Sequence, residues 1–294
     1  MNRREFINKG MAAAAACCAA TTLPALTAAC NTPSRNRIGI QLYSINKILP
    51  DDIPGNLRKL ADIGYARAEA YGFNGSTFLN KPLKEWANIM KDYGIQLSGT
   101  HCGTPLLPPD VNASEWDYWR KSVGEMNEAG GKLLVQSFLP SDKSLDDLKR
   151  IAEQFNKIGS LCKQAGLQFG YHNHHAEFKT VEGEIIIDVL LKNTDPELVF
   201  FQIDLGHAVN GGGDILAYMK NYPKRFLSWH ASDFKKEQGY TELGKGDVPY
   251  AQLFAQAGEL GLIDLTVEQE TGGDVYIALK NNFDYLSQYP WTKL

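Results

Sequence analysis

Short apolar runs alternate with amphipathic stretches from residue 37 to the end of the chain. Runs rich in β-branched and aromatic residues predict strands, and stretches with apolar spacing near 3.6 predict helices. RIGIQLYS (37–44), ARAEAY (66–71), IQLSGTH (95–101) and KLLVQSF (132–138) predict four strands. LQFGYH (167–172), LVFFQID (198–204), RFLSWH (225–230) and LIDLTVE (262–268) predict four more. Helical stretches lie between them at 57–64, 83–94, 116–130, 145–166, 183–193, 214–221 and 250–261, and 274–289 closes the chain. Such alternation means a parallel sheet with crossover helices. Eight strand–helix pairs over 37–294 predict a single closed (β/α)₈ barrel, an α/β fold. The competing architecture is a doubly wound open sheet. It normally uses fewer strands, and no GxGxxG follows the first strand here.

The first 36 residues break the pattern. Arg3-Arg4, Phe6, Ile7 and Lys9 precede the Ala-rich run MAAAAACCAATTLPALTAAC. A charged start, a short apolar stretch and small residues at its end describe an export signal over 1–30. The paired arginines give it a twin-arginine character. Ala and Thr make the run weakly hydrophobic, and Pro24 interrupts it, which argues against a membrane-spanning anchor. Leu26-Thr27-Ala28-Ala29-Cys30 resembles a lipoprotein processing site, with its Leu one position early, so simple cleavage competes with lipidation of Cys30. Residues 31–36 read as a tether. The expected location is the periplasm, free or membrane-anchored.

Composition narrows the function classes. With 44% apolar and 22% charged residues the body is ordinary globular protein. A net charge of −4 and no Lys/Arg run exclude a surface built for nucleic acid. Only Cys102 and Cys162 lie beyond the signal, which is no disulfide framework and no zinc-finger spacing.

A barrel of this kind builds its active site at the C-terminal ends of its strands. Those ends carry Glu69, His101, Gln136, His172, Asp204, His230 and Glu268. Just beyond lie His174 and Glu177 after strand 5, His207 after strand 6 and Glu270 after strand 8. Five of the six histidines are therefore at strand ends, and His175 is the sixth. Imidazoles and carboxylates converging on one mouth make a divalent metal site for Mn²⁺, Mg²⁺, Co²⁺ or Zn²⁺. His101, His172, His174 and Glu69 are the candidate acid–base groups. The glycine run AVNGGGD (208–214) reads as a tight turn in preference to a phosphate cradle. Tyr43, Tyr71, Phe73, Trp116, Trp119 and Trp229 are candidates for a sugar-stacking wall, though their spacing favours core packing for most of them.

Several of these segments resemble the xylose-isomerase-like barrels, the sugar phosphate isomerase–epimerase family related to endonuclease IV. They are IGIQLYS (38–44), IGYARAEAYG (63–72), SGTH (98–101), YHNHHAEF (171–178), FQIDLGHAVNGGGD (201–214), FLSWHASDF (226–234), ELGKGDVPY (242–250) and TVEQE (266–270). The resemblance spans the chain after the tether and implies a metal held by Glu, Asp, His and Glu from the last four strands. Asp204, His230 and Glu268 match the last three positions. The strand-5 Glu is replaced by Tyr171 or His172, so Glu177 is expected to supply that ligand, with His172 second. Glu270 replaces or joins Glu268. His207, Asp233 and Gln136 are expected to contact substrate, and Ser232 stands where the family has Lys.

The implied activity is a metal-dependent sugar isomerase or epimerase. It removes a proton next to the carbonyl of a sugar, keto-sugar or cyclitol and stabilises the enediolate. Elimination by a keto-sugar or keto-glycoside lyase or dehydratase is the alternative on the same site. A non-catalytic sugar-binding lipoprotein is the alternative of another class. The expected partners are a small carbohydrate, the membrane only through Cys30, and a second copy in a homo-oligomer.

Overall fold

In the computed structural model the described residues are 37–103, 113–270 and 273–293. The expected signal, Cys30 and the tether lie outside them. Eight strands form a closed parallel barrel: β1 Ile38–Gln41, β2 Arg67–Phe73, β3 Gln96–Cys102, β4 Leu133–Gln136, β5 Gln168–His172, β6 Val199–Asp204, β7 Ser228–Ala231 and β8 Asp264–Val267. Each strand pairs with the next, and β8 closes on β1 with Ile38 opposite Leu265. A barrel wall is covered on both faces, so its strands bury continuously. In β4 (LLVQ) and β6 (VFFQID) every residue is buried.

The helices are α1 Ile53–Ile63, α2 Leu83–Asp92, α3 Ala113–Ala129, α4 Leu145–Gln164, α5 Ile186–Asn193, α6 Leu205–Gly211, α7 Ile215–Asn221, α8 Tyr250–Gln256 and α9 Val275–Ser287. Their apolar faces meet the outside of the barrel, where Trp86, Trp119, Trp229, Phe155 and Phe169 are buried. Helix α4 begins with a reciprocal cap. Ser144 Oγ accepts the Asp147 N–H at 3.1 Å, and the Asp147 carboxylate accepts the Ser144 N–H at 2.9 Å. Among the described residues no helix is long and apolar enough to cross a membrane.

The eight expected strand–helix pairs are present. Three local departures matter for the site. Leu42–Ile45 is a 3₁₀ turn in place of the end of strand 1. The hairpin Asp233–Lys235/Gly239–Thr241 follows β7. Helix α6 starts immediately after Asp204, whose Oδ1 accepts the His207 N–H at 2.7 Å. A Cβ on Gly206 would stand 2.5 Å from Ser232 Oγ, so glycine lets α6 pass over the end of β7. Gly212, at φ +87°, then ends the helix in the left-handed conformation. The glycine run is thus a helix terminus.

Close approach also governs the outer layer. A Cβ on Gly159 of α4 would lie 2.3 Å from the carbonyl oxygen of Leu198. Backbone cannot yield there as a side chain would. Gly159→Ala is expected to lower stability by about 1–3 kcal/mol. Urea unfolding checks this as a lower midpoint at unchanged slope.

Candidate active site

The ends of β5 to β8 bring His172, Asp204, His230 and Glu268 together. One donor atom from each lies within 4.8 Å of the others, and all four residues are buried. Strand alternation aims these side chains into the barrel, because residues two apart share a face. Asp204 Oδ1 is occupied by the His207 N–H and by the Ser232 hydroxyl at 2.5 Å. Its Oδ2 is buried with no hydrogen-bond partner, and so is His172 Nδ1. Leaving such a group unpaired costs about 1–3 kcal/mol. Both orphaned atoms belong to the same quartet. Two imidazole nitrogens and two carboxylate oxygens at this spacing fit a divalent cation.

Beneath the quartet sits Glu69. Its Oε2 accepts from His230 Nε2 at 2.7 Å, Gln41 Nε2 at 2.9 Å and His101 Nε2 at 3.2 Å. Its Oε1 accepts from Gln202 Nε2 at 3.1 Å. His230 turns its other nitrogen, Nδ1, to Glu268 at 2.7 Å. Each ring nitrogen thus donates to a carboxylate; a cation would take the place of the Nδ1 proton while Glu69 keeps the Nε2–H, as carboxylates behind metal-binding histidines do.

Charge follows this geometry. Burial opposes ionisation of Glu69, but the His101 and His230 rings overturn it and hold the carboxyl well below its usual range. Burial likewise opposes a charge on His230, and Glu69 and Glu268 overturn that, raising it well above 6.5. His172, buried among other imidazoles, is pushed well below 6.5. Burial, with His207 beside it, takes His174 down to about 4. His207 rises to about 9, because Asp204, Glu270 and Glu268 outweigh its burial. Burial lifts Asp204 to about 6.

The structure redistributes several expected roles. Glu177 is not brought to the quartet. It accepts from the Tyr171 hydroxyl at 2.8 Å and from the His174 N–H at 2.7 Å, closing the 3₁₀ turn His175–Phe178. Tyr171 packs on Phe155 of α4, on the outer face of β5. Glu177 follows that outward hydroxyl, while His172 points inward and takes the strand-5 place. Glu69 is not at a strand end, because β2 runs on to Phe73. At 1% exposure, with both oxygens engaged, it offers no face to a substrate.

Asp233, expected to contact substrate, is engaged by its own loop. Its carboxylate accepts four N–H groups, from Phe234, Gly244, Gly246 and Val248, and pins the loop beyond the hairpin. Gln136 Nε2 donates to the Phe138 carbonyl at 2.9 Å and shapes the turn after β4. His207 donates through Nε2 to Glu270 Oε1 at 3.1 Å and bonds Tyr240 through Nδ1. Gln41, Gln202 and Tyr240 escaped the sequence reading, and Ser232, noted there as a departure from the family, is the hydroxyl that holds Asp204. Gln202 had a signal, since it lies two residues before Asp204 on the same strand face.

His172 and Glu268 of the quartet line a cavity of about 730 Å³. His101, His172, His174, His207, Glu268 and Glu270 line it. Tyr43, Tyr71 and Phe138 also line it. Tyr43 and Phe138 are 50% and 59% exposed, so their faces are open for stacking. Phe73, Trp119 and Trp229 are core, as their spacing predicts. Lys47 is the one lysine or arginine among the described lining residues.

A parallel eight-stranded barrel with a polar, ligand-bearing mouth at its strand C-termini is the architecture of barrel enzymes. The chain belongs to the xylose isomerase-like TIM barrel family, whose sequence model matches residues 57–286. Inosose dehydratase from Bacillus cereus is 32% identical over 232 residues, covering 73% of this chain and 75% of that protein. Inosose dehydratase from Clostridium perfringens is 31% identical over 127 residues, 37% of this chain and 42% of that protein, so that match spans less than half of the relative. The crystal structure of a sugar phosphate isomerase/epimerase from Parabacteroides distasonis is similar at TM-score 0.77 and 30% identity, covering 92% of this chain and 100% of that one.

Two measurements test the quartet. Wild type supplied with Mn²⁺, Co²⁺ or Zn²⁺ is expected to retain about one equivalent by elemental analysis, and Asp204→Ala and His230→Ala under a tenth of that. Uptake must also release protons, because Asp204 and His230 are ligands only when deprotonated. As pH falls through about 6, Asp204 gains its proton and competes with the cation. Titration of the apoprotein is expected to show affinity falling about tenfold or more per unit below that pH.

Proposed function

We propose that the protein is a divalent-metal enzyme that removes the proton next to the carbonyl of an uncharged ring ketone, a keto-cyclitol or keto-sugar, and eliminates water from it. The observation that carries this reading is the buried quartet with two orphaned donor atoms, opening directly onto a cavity lined by further imidazoles and a carboxylate. A bound divalent cation would polarise the carbonyl and stabilise the enediolate. His172, Asp204, His230 and Glu268 would hold it. The remaining chemistry belongs to groups beside them. His101 and His174 face the cavity as proton-transfer groups, and Glu270 is oriented by His207 and Tyr240.

The cavity's chemistry favours a neutral polyol. Glu268 and Glu270 repel an anion, the raised His207 is already paired with Glu270, and the one lysine, Lys47, does not by itself make a phosphate site. The open faces of Tyr43 and Phe138 suit the apolar face of a hydroxylated ring. Elimination is favoured over isomerisation by the two inosose dehydratases. Isomerisation or epimerisation is the second reading, because it shares the first step and the Parabacteroides distasonis structure carries that name. The export signal read in the sequence supports action outside the cytoplasm, on substrates that are not phosphorylated.

Incubation in D₂O with inososes and ketoses tests the reaction. Deuterium at the α-carbon together with a dehydrated, ultraviolet-absorbing enone is the expected result. Exchange with an epimer or isomer and no loss of water selects the second reading. A metal-loaded protein that binds these compounds without exchange or product is a binder, and the proposal fails.

A further inference from the structure

The hydrogen bonds under the quartet admit one pattern of donors and acceptors. A side-chain amide donates only through its nitrogen, and the Glu69 oxygens are the acceptors within its reach. Gln202 must therefore turn its amide nitrogen to Glu69, at 3.1 Å. A second contact requires the same orientation. Ser228 spends its single hydroxyl proton on the Asp264 carboxylate at 2.9 Å, so it can only accept from Gln202 Nε2 at 3.1 Å. The Gln202 carbonyl oxygen then faces His101 Nε2 at 2.7 Å. An amide oxygen cannot donate. His101 must carry its proton on Nε2, shared with Glu69 Oε2 at 3.2 Å. In the neutral ring its Nδ1 is left with a lone pair.

His101 lines the cavity. Its ring lies 4.7 Å from that of His172 and is stacked 5.2 Å from that of His230, centroid to centroid, beside two of the quartet. We propose that His101 is the base that takes the substrate's α-proton, through Nδ1, and that Gln202 is the positioning residue that holds it in the accepting tautomer. The assignment rests on the proposed reaction. In the step, the C–H bond breaks and its electron pair forms the C=C of the enediolate as the carbonyl oxygen takes up negative charge. The proton goes to Nδ1. The resulting imidazolium keeps its Nε2–H on Gln202 and beside the Glu69 carboxylate, the arrangement that stabilises a protonated histidine behind other bases.

The polarity is measurable without turnover. In histidine ¹⁵N-labelled protein, with the signal assigned by its loss in His101→Gln, Nδ1 is expected to be pyridine-like and Nε2 pyrrole-like at pH 7–8. Gln202→Leu is expected to give a mixture of tautomers. It should lower kcat at least tenfold and change KM less than about threefold, at unchanged metal content. Gln202→Glu rescues the tautomer, because a protonated carboxyl donates to Glu69 and accepts from His101 as the amide does. His101→Gln is expected to slow α-proton exchange by about 10²–10⁴ while metal stays bound. An Nδ1–H tautomer in the wild type overturns the proposal, and so does exchange in His101→Gln above a tenth of the wild-type rate. A wild type with the expected tautomer that exchanges no substrate proton overturns the base assignment through failure of the reaction itself, and leaves the hydrogen-bond polarity standing.

Discussion

A single buried carboxylate organises this barrel mouth. Glu69 on β2 accepts hydrogen bonds from Gln41 on β1, His101 on β3, Gln202 on β6 and His230 on β7. Burying an ionised carboxyl costs several kcal/mol unless its lone pairs are filled, and here donors from four strands fill them. The cost and the compensation together make the hub a geometric constraint. Removing one donor strands charge in a site closed to water, so the four strand ends are held in one mutual arrangement. Gly99 takes part by what it lacks. A Cβ there would lie 3.3 Å from Glu69 Oε1 and 2.8 Å from Leu133.

From the hub the network runs in two directions. Downward, Gln202 meets Ser228, Ser228 meets Asp264, and Asp264 pairs with Arg67 at 2.5 Å. The barrel interior is thus a hydrogen-bonded column, anchored at its base by an ion pair. Upward, it sets which nitrogen of each histidine faces the cavity. Orientation of Asp204 comes from a different source, the start of α6, whose His207 N–H occupies one carboxylate oxygen and leaves the other unpaired. The ligand set is held by strand geometry and helix capping, while the aromatic wall comes from the turns after β1 and β4 and from the end of β2. That division allows the loops to change what is bound without disturbing the chemistry beneath.

The barrel was legible because its periodicity switches eight times between strand and helix, a long-range regularity that boundary errors do not erase. The site was legible where chemistry coincided with a strand end, as at Asp204, His230 and Glu268. It was not legible where side-chain direction decided the outcome. His172 and Glu177 are five residues apart, and the carboxylate that the resemblance implies at strand 5 favoured Glu177. Alternation along β5 sends Tyr171 outward, and Glu177 goes with it. Glu69 was misplaced because β2 continues four residues beyond it, with register shifts on either side of the Glu69–Ala70 pair that no periodic pattern reveals. Asp233 looked like a polar residue waiting for a ligand. Its four partners are backbone N–H groups from a loop up to fifteen residues away, which carries no side-chain signature.

The substitution at strand 5 changes the electrostatics of the whole site. Two imidazoles and two carboxylates balance a divalent cation, whereas a third carboxylate would leave an excess negative charge among the ligands. With a divalent cation in the quartet, the charge of Glu69 would be the one that remains next to His101. A proton arriving on His101 faces that carboxylate in hydrogen-bonding geometry already in place, with no reorganisation required. A cation held by the quartet would take up the negative charge developing on the substrate oxygen, while Glu69 faces the positive charge on the ring. Charge is thus separated across the cavity floor between two preformed partners.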